Sequence, residues 1–310
     1  MNRDQFKAIC KKTQPELMTY LVGKLRKRYD NIKLSKDFLY AQGDIPICLV
    51  AHLDTVHKQT PQVFVEEEDK ISSPQGIGGD DRCGVYAILQ IIKKHKCSVL
   101  FCCDEEIGGF GAMAFAKTKH GEGMKFYIEL DRKGKTDAVF YDCDNPEFTD
   151  YICDFGAWEE NYGSYTDICD IAPEKDCAAV NLSVGYYNQH TLNEYVVPSE
   201  VDYCIDNVCK LIEASKNVEK FDWIESERYR GYYGYGYNYG YKSYNSSYGW
   251  DDETIYLVQF RSKNGEILYE EYEAHSEWEA VGKFVYDFQT YTYNDILDVI
   301  DEGIYAKSNK

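Results

Sequence analysis

Gly76-Ile77-Gly78-Gly79-Asp80-Asp81-Arg82-Cys83-Gly84 sets two carboxylates side by side at the mouth of an apolar helix. Val85, Ile88, Leu89 and Ile92 follow at helical spacing. The glycines permit a tight backbone path into that helix. Taken alone, Asp80-Asp81 reads as a helix cap plus a charge on the positive end of the helix dipole. The rest of the chain changes the reading. It supplies, in order, His-x-Asp, Asp-Asp, Glu-Glu, Glu-Leu-Asp and a late His, most of them where an apolar strand ends.

Upstream, residues 4–30 carry helical periodicity, with Pro15 placed to divide the helix in two. A short strand is expected at 38–41. Ile47 to Ala51 is a continuous apolar run, as in a strand buried on both faces of a parallel sheet, and it ends in His52-Leu53-Asp54-Thr55. Residues 63–71 read as an edge strand. Downstream of the helix at 83–94, Ser98 to Cys103 is a second buried strand that ends in Asp104-Glu105-Glu106, followed by a glycine turn and a helix at 111–118. Lys125 to Leu130 is a third strand, ending in Asp131; Asp137 to Tyr141 is a fourth, and 146–157 is helical. Gly163 to Asp167 is a polar loop. Ala178 to Val184 is a further strand, leading to His190-Thr191-Leu192-Asn193-Glu194, and 198–215 is an amphipathic helix.

Strands alternating with helices predict an α/β domain over 1–224, a mostly parallel mixed sheet sandwiched by helices. Ligands of such sheets bind beyond the carboxyl ends of the strands, which puts His52, Glu105, Glu106, Asp131 and His190 at one edge. The composition then changes. Residues 225–250, rich in Tyr and Gly, read as a low-complexity linker. Residues 251–310 read as a small ββαα module, with a hairpin at Asn264-Gly265 and helices at 276–289 and 293–302; His275 is taken as a surface residue.

The 310 residues, 44% of them hydrophobic, suffice for one catalytic domain and a small second one. A formal charge of -19 argues against nucleic acid or an anionic membrane as the main partner. The 12 cysteines form no CxxC pair, and the N-terminus has no signal pattern; both suggest a cytoplasmic, reducing setting with buried free thiols.

Two histidines with carboxylates from three further segments are mixed nitrogen and oxygen donors. They suit Zn²⁺, with Mn²⁺ or Co²⁺ as alternatives. Five ligands exceed one open tetrahedral site but fit two metals about 3.5–4 Å apart that share a carboxylate and a water. Of the neighbours Glu105 and Glu106, which point in different directions, one can bind metal while the other acts as general base.

The motifs Ala51-His52-Leu53-Asp54-Thr55, Gly79-Asp80-Asp81, Asp104-Glu105-Glu106-Ile107-Gly108, Glu129-Leu130-Asp131 and Gly185 to Glu194 together resemble the co-catalytic di-zinc exopeptidases, the superfamily of bacterial leucyl aminopeptidase and peptidase T. The resemblance covers about residues 45–215. It implies two Zn²⁺, with Asp80 bridging them, His52 and Asp131 on one and Glu106 and His190 on the other. It further implies Glu105 as general base, Asp54 orienting His52, a cis peptide at Asp80-Asp81, and a substrate-side loop at Thr166-Asp167. Asp131 and His190 are too close in sequence to hold a separate lid domain, which points to the lidless, aminopeptidase-like branch.

The expected activity is therefore zinc-dependent cleavage of peptide bonds by an aminopeptidase, acting on a small peptide. An amidase or deacylase acting on a small non-peptide amide is the alternative within the same fold. A non-catalytic binding protein on the same fold, using the Tyr-rich linker and 251–310 to hold a protein partner, is the alternative outside enzymology.

Overall fold

The computed structural model describes residues 1–226, 254–263, 267–274 and 296–301. The chain divides into two compact units, Met1–Tyr237 and Asn238–Lys310. In the first, the helices are α1 (Arg3–Cys10), α2 (Gln14–Leu25), α3 (Gly79–Lys94), α4 (Phe110–Ala116), α5 (Pro146–Cys153), α6 (Ile168–Glu174) and α7 (Pro198–Ala214). The strands are β1 (Ile32–Leu34), β2 (Phe38–Ala41), β3 (Ile45–His52), β4 (Val65–Glu67), β5 (Lys70–Ser72), β6 (Cys97–Cys102), β7 (Phe126–Arg132), β8 (Asp137–Val139), β9 (Glu159–Asn161), β10 (Ala179–Ser183), β11 (Tyr186–Tyr187) and β12 (Tyr195–Val196).

Eight strands form one mixed sheet in the order β1-β2-β6-β3-β7-β10-β8-β9. Its centre, β6-β3-β7-β10, is parallel throughout. Strand alternation sorts the side chains onto two cores. Ile47, Leu49 and Ala51 of β3 join the core built with α1, α2, α3 and α7, whereas Cys48 and Val50 join the one built with α4 and α6. The same alternation in β7 sends Ile128 and Leu130 to the first core and Tyr127 to the second. By that parity Glu129 and Asp131 belong to the face of α4 and α6, and Val50, Glu129 and Asn181 lie side by side in register.

Pro15 sits in the first turn of α2, where a missing N–H costs nothing. Thr13 and Glu16 form a capping box there, so the expected division of 4–30 into two helices is what forms. Residues 63–71 do not make one edge strand. They fold as the hairpin of β4 and β5, which joins β11 and β12 in a separate sheet of order β11-β12-β5-β4. Helix α6 and strands β1 and β9 carry no sequence prediction. They are short, and α6 contains Pro173, so none presents a full period of apolar residues. From Asp131 to His190 the chain contributes β8, β9 and β10 to the main sheet, so no separate domain stands between them.

Glu225 and Ser226, expected in the linker, pair instead with Cys143 and Asp142 of the main unit. The rest of that linker, the turn at Asn264-Gly265, His275 and the helix expected at 276–289 lie outside the described residues. In the second unit β13 (Thr254–Arg261), β14 (Ile267–Ala274) and β15 (Ile296–Asp301) form an antiparallel sheet of order β14-β13-β15. The helix expected at 293–302 is thus a strand over 296–301. Ile296-Leu297-Asp298-Val299-Ile300 is a short apolar run whose periodicity suits either state, and pairing with β13 selects the strand.

All twelve cysteines are free, and all are buried except Cys153 and Cys169, which are partly so. Among the described residues no helix is long and apolar enough to cross a membrane.

Candidate metal centre

Strand β3 delivers His52, fully buried, to the carboxyl edge of the sheet. Its Nδ1 lies 3.2 Å from Asp54 Oδ1, and its Nε2 lies 2.9 Å from Asp80 Oδ1 and 3.7 Å from Asp131 Oδ1. On the other side of Asp80, Oδ2 is 3.2 Å from His190 Nε2, which is also 3.2 Å from Glu106 Oε2. One carboxylate therefore presents one oxygen to each histidine, with Asp131 beside the first and Glu106 beside the second. The seven residues singled out in the sequence converge here: His52, Asp80, Asp131, Glu106 and His190 in direct contact, with Asp54 and Glu105 beside them.

Potential ligand atoms of His52, Asp80 and Glu106 lie within 4.8 Å of one another, and so do those of His52, Asp81 and Asp131. Asp81 nevertheless faces the backbone. Its Oδ2 accepts the His52 N–H at 3.3 Å and its Oδ1 the Gly84 N–H at 2.8 Å. Asp80 is the carboxylate turned toward both histidines. Asp81 caps the regular part of α3, because its Oδ1 accepts the N–H three residues on and its own backbone angles are not helical, whereas Asp80 makes no such bond, so the helix-cap reading holds for Asp81 alone. The Asp80-Asp81 peptide is cis. Gly84 lets α3 approach β7: a Cβ there would lie 2.2 Å from Leu130 O and 2.5 Å from either Asp81 carboxylate oxygen.

Asp54 does more than orient His52. Its Oδ1 accepts the Glu105 N–H at 3.1 Å and its Oδ2 the Glu106 N–H at 3.0 Å. The same carboxylate thus places the histidine and the two-glutamate turn. Gln14, at the start of α2, brackets that turn from behind by donating to Asp104 Oδ1 at 2.7 Å and accepting its N–H at 3.2 Å.

Asp131 is held from several sides. Its N–H donates to Asn181 Oδ1 at 2.9 Å, Tyr186 Oη donates to its Oδ1 at 3.1 Å, and Thr166 Oγ1 donates to its Oδ2 at 3.2 Å. Thr166 and Asp167, expected on a substrate-side loop, are buried at the start of α6, with Thr166 against Asp131. Asn181 and Tyr186 escaped the sequence reading. The available signal was one polar residue inside the apolar run of β10.

The electrostatics follow from this crowding. Burial pushes Asp131 up to about 7, with the Asp80 charge adding to it. Burial also raises Glu105 well above an ordinary glutamate; the charges of Asp131, Asp167 and Glu106 push the same way, against His52. Hydrogen bonds to Asp80 and Glu106 raise His190 to about 10. Burial would raise Asp80, yet the hydrogen bonds to His190 and His52 outweigh it and hold that carboxyl below its usual range.

The donor set fits divalent cations. Glu106 Oε1 is buried and has no hydrogen-bond partner among the described residues. Asp80, Asp81, Glu129 and Asp167 are buried within one region, with Asp131 partly buried beside them. Arg82, also buried, directs its guanidinium to the Leu53, Asp54 and Lys12 carbonyl oxygens and to no carboxylate. Uncompensated buried charge on this scale is costly, and mixed imidazole and carboxylate donors meet the demand of a dipositive ion.

A pH dependence follows for the metal-free protein. Asp131, with an ordinary value of 3.8 and a folded value of about 7, loses its stabilising contribution as pH rises from the first to the second. The His190 contribution is full below its ordinary 6.5 and is lost as pH rises through about 10. Both act in the same direction, because the folded state holds more protons than the unfolded one between these limits. Chelator-treated protein is expected to lose resistance to urea steadily from pH 5 to pH 9, and added zinc to flatten that slope. Stability that rises over this window without metal would contradict the arrangement.

No protein-family model and no curated protein matches the sequence. Solved structures do. Aminopeptidase PepT from Bacillus cereus is 14% identical and aligns over 68% of this chain and 96% of its own, with a TM-score of 0.56. A tripeptidase from Staphylococcus aureus is 13% identical over 68% of this chain and 96% of its own, with a TM-score of 0.57. A TET aminopeptidase from a marine sediment archaeon, a thaumarchaeote, is 14% identical over 70% and 97%, with a TM-score of 0.51. The chain has the fold of these peptidases. Its eight-stranded mixed sheet between helices is the expected α/β architecture.

Glu194, His57 and Arg82 had no role in the sequence reading. Glu194 stood inside a quoted motif, but nothing in the linear order revealed what its carboxylate accepts.

Proposed function

We propose that the chain is a zinc-dependent hydrolase of peptide bonds, an exopeptidase of the aminopeptidase type. The observation that carries the proposal is Asp80, whose two oxygens face His52 and His190 separately at 2.9 Å and 3.2 Å. In this reading two cations would share Asp80, with His52 and Asp131 holding one and Glu106 and His190 the other. Two divalent cations, when bound, polarise the scissile carbonyl and lower the pKa of water. Asp54 fixes the His52 ring and the Glu105-Glu106 backbone. Glu105, its carboxyl raised by burial well above an ordinary glutamate, takes the proton of the attacking water and passes it to the leaving amine. The aminopeptidase fold of the neighbours supports the substrate class.

The partner in this reading is a small peptide, and the charge of -19 disfavours nucleic acid and anionic membranes. The free thiols support a reducing, cytoplasmic setting. The second unit is read as a docking module for a protein partner or as a stabilising appendage.

The test is a panel of aminoacyl-anilides and N-acyl amino acids offered to the zinc-loaded full chain. Release of free N-terminal residues, abolished by chelator and restored by zinc, is the expected result. Turnover of N-acyl amino acids alone would move the chain to the amidase and deacylase reading. No turnover of either class would refute the proposal.

A further inference from the structure

The loop joining β11 to β12 carries two residues that act on the same short segment. His190, with φ +62, faces the Asp80 carboxylate. Glu194, on the return of the loop, is completely buried and faces the Asp80 backbone instead. Its Oε1 accepts the Asp80 N–H at 2.9 Å. Its Oε2 accepts the Gly78 N–H at 2.9 Å and lies 2.9 Å from His57 Nε2.

These N–H groups need an external acceptor. Asp80 (φ -79, ψ 104) and Asp81 (φ -116, ψ 45) depart from helical geometry inside the first turn of α3, and no side chain of the cap residue Gly78 serves them. The first N–H groups of any helix lack partners within it, and leaving one buried and unpaired is costly. The fit is close as well. A Cβ on Gly79 would lie 3.2 Å from Glu194 Oε1 and 2.9 Å from both Tyr186 Cβ and Val196 Cγ2, so the 78–80 backbone runs flush against the β11–β12 hairpin.

We infer that Glu194 is a positioning residue for the metal centre. It fixes the backbone from which the Asp80 carboxylate reaches the cations. It also ties that backbone to the loop bearing His190, while His57 sets the orientation of its own carboxylate. The inference rests on the reading of Asp80 and His190 as cation ligands. A carboxylate is required because its two oxygens face three donors. A glutamine would keep the shape and present an N–H₂ group to at least one of them.

The experiment uses the full chain as wild type, Glu194→Gln and His57→Ala. Zinc affinity is read by competition with a chromophoric chelator, the ligand field by the visible absorption of the Co²⁺ form, and folding by urea unfolding of the metal-free protein. Glu194→Gln is expected to bind zinc about 10–100-fold more weakly and to shift the cobalt bands while remaining folded. His57→Ala, which leaves both backbone bonds intact, is expected to move both readouts the same way by less. A folded Glu194→Gln with wild-type zinc affinity and cobalt spectrum would overturn the inference, whatever its stability, and reduce Glu194 to a structural tie. Wild type that binds no metal would instead sink the cation reading and this inference with it. Should Glu194→Gln not fold, Glu194→Asp decides by the same titration. It keeps the charge on an arm one methylene shorter, and wild-type affinity in that variant would overturn the inference.

Discussion

Glu105→Gln is expected to lower turnover by about 10²–10⁴-fold while the protein still carries its full complement of metal. The reason lies in the division of labour at the 105–106 turn. Both backbone N–H groups are anchored on Asp54, at 3.1 and 3.0 Å, so the turn keeps its shape whichever side chain is altered. Only Glu106 meets His190, at 3.2 Å. Glu105 makes no such pair and has a carboxyl raised by burial, the setting a proton acceptor needs near neutral pH. Glutamine is isosteric and cannot take a proton. The check is kcat together with zinc per chain. Unchanged kcat, or loss of metal along with activity, would remove Glu105 from the role of base.

Asp80→Ala is expected to remove both metals rather than one. A carboxylate that served a single ion would leave the other in place when deleted. Asp80 turns an oxygen to each histidine, and His52 and His190 hold it ionised against the effect of burial. Zinc retained after gel filtration should fall from about two per chain to well below one. Retention of one full equivalent would mean that the two ions do not share Asp80. Asp81→Ala supplies the contrast. Asp81 accepts the His52 and Gly84 N–H groups from a fully buried position, so its removal should act first on folding, by about 1–3 kcal/mol for each N–H left unpaired.

Much of this centre was legible in the linear chain. His52, Glu106 and Asp131 stand at or just beyond the ends of apolar runs that read as buried strands, and the carboxyl edge of a parallel sheet gathers such ends. The alternation of side chains between the two faces of a strand needs no tertiary information, because it follows from the pleat. The roles of neighbours were harder to read. Asp80 and Asp81 are adjacent and identical in type, and sequence alone offers no way to tell which faces the histidines and which faces the backbone. Gly163 to Asp167 reads as a polar loop, yet Thr166 and Asp167 are buried, with Thr166 against Asp131, because the apolar residues of α6 pack into the second core.

The sequence by itself determined the α/β class, the order of the central strands along the chain, and the residues able to bind cations. Those properties are written in local periodicity and in side-chain chemistry. Tertiary structure alone decided the rest. It made residues 63–72 part of a second small sheet and turned 296–301 into a strand beside β13. It also brought the β11–β12 loop across to Asp80, so that His190 meets its carboxylate and Glu194 its backbone. These contacts join segments far apart in the chain. Their geometry is set by how sheets and helices pack, where hydrogen bonds and burial are satisfied between elements rather than within them.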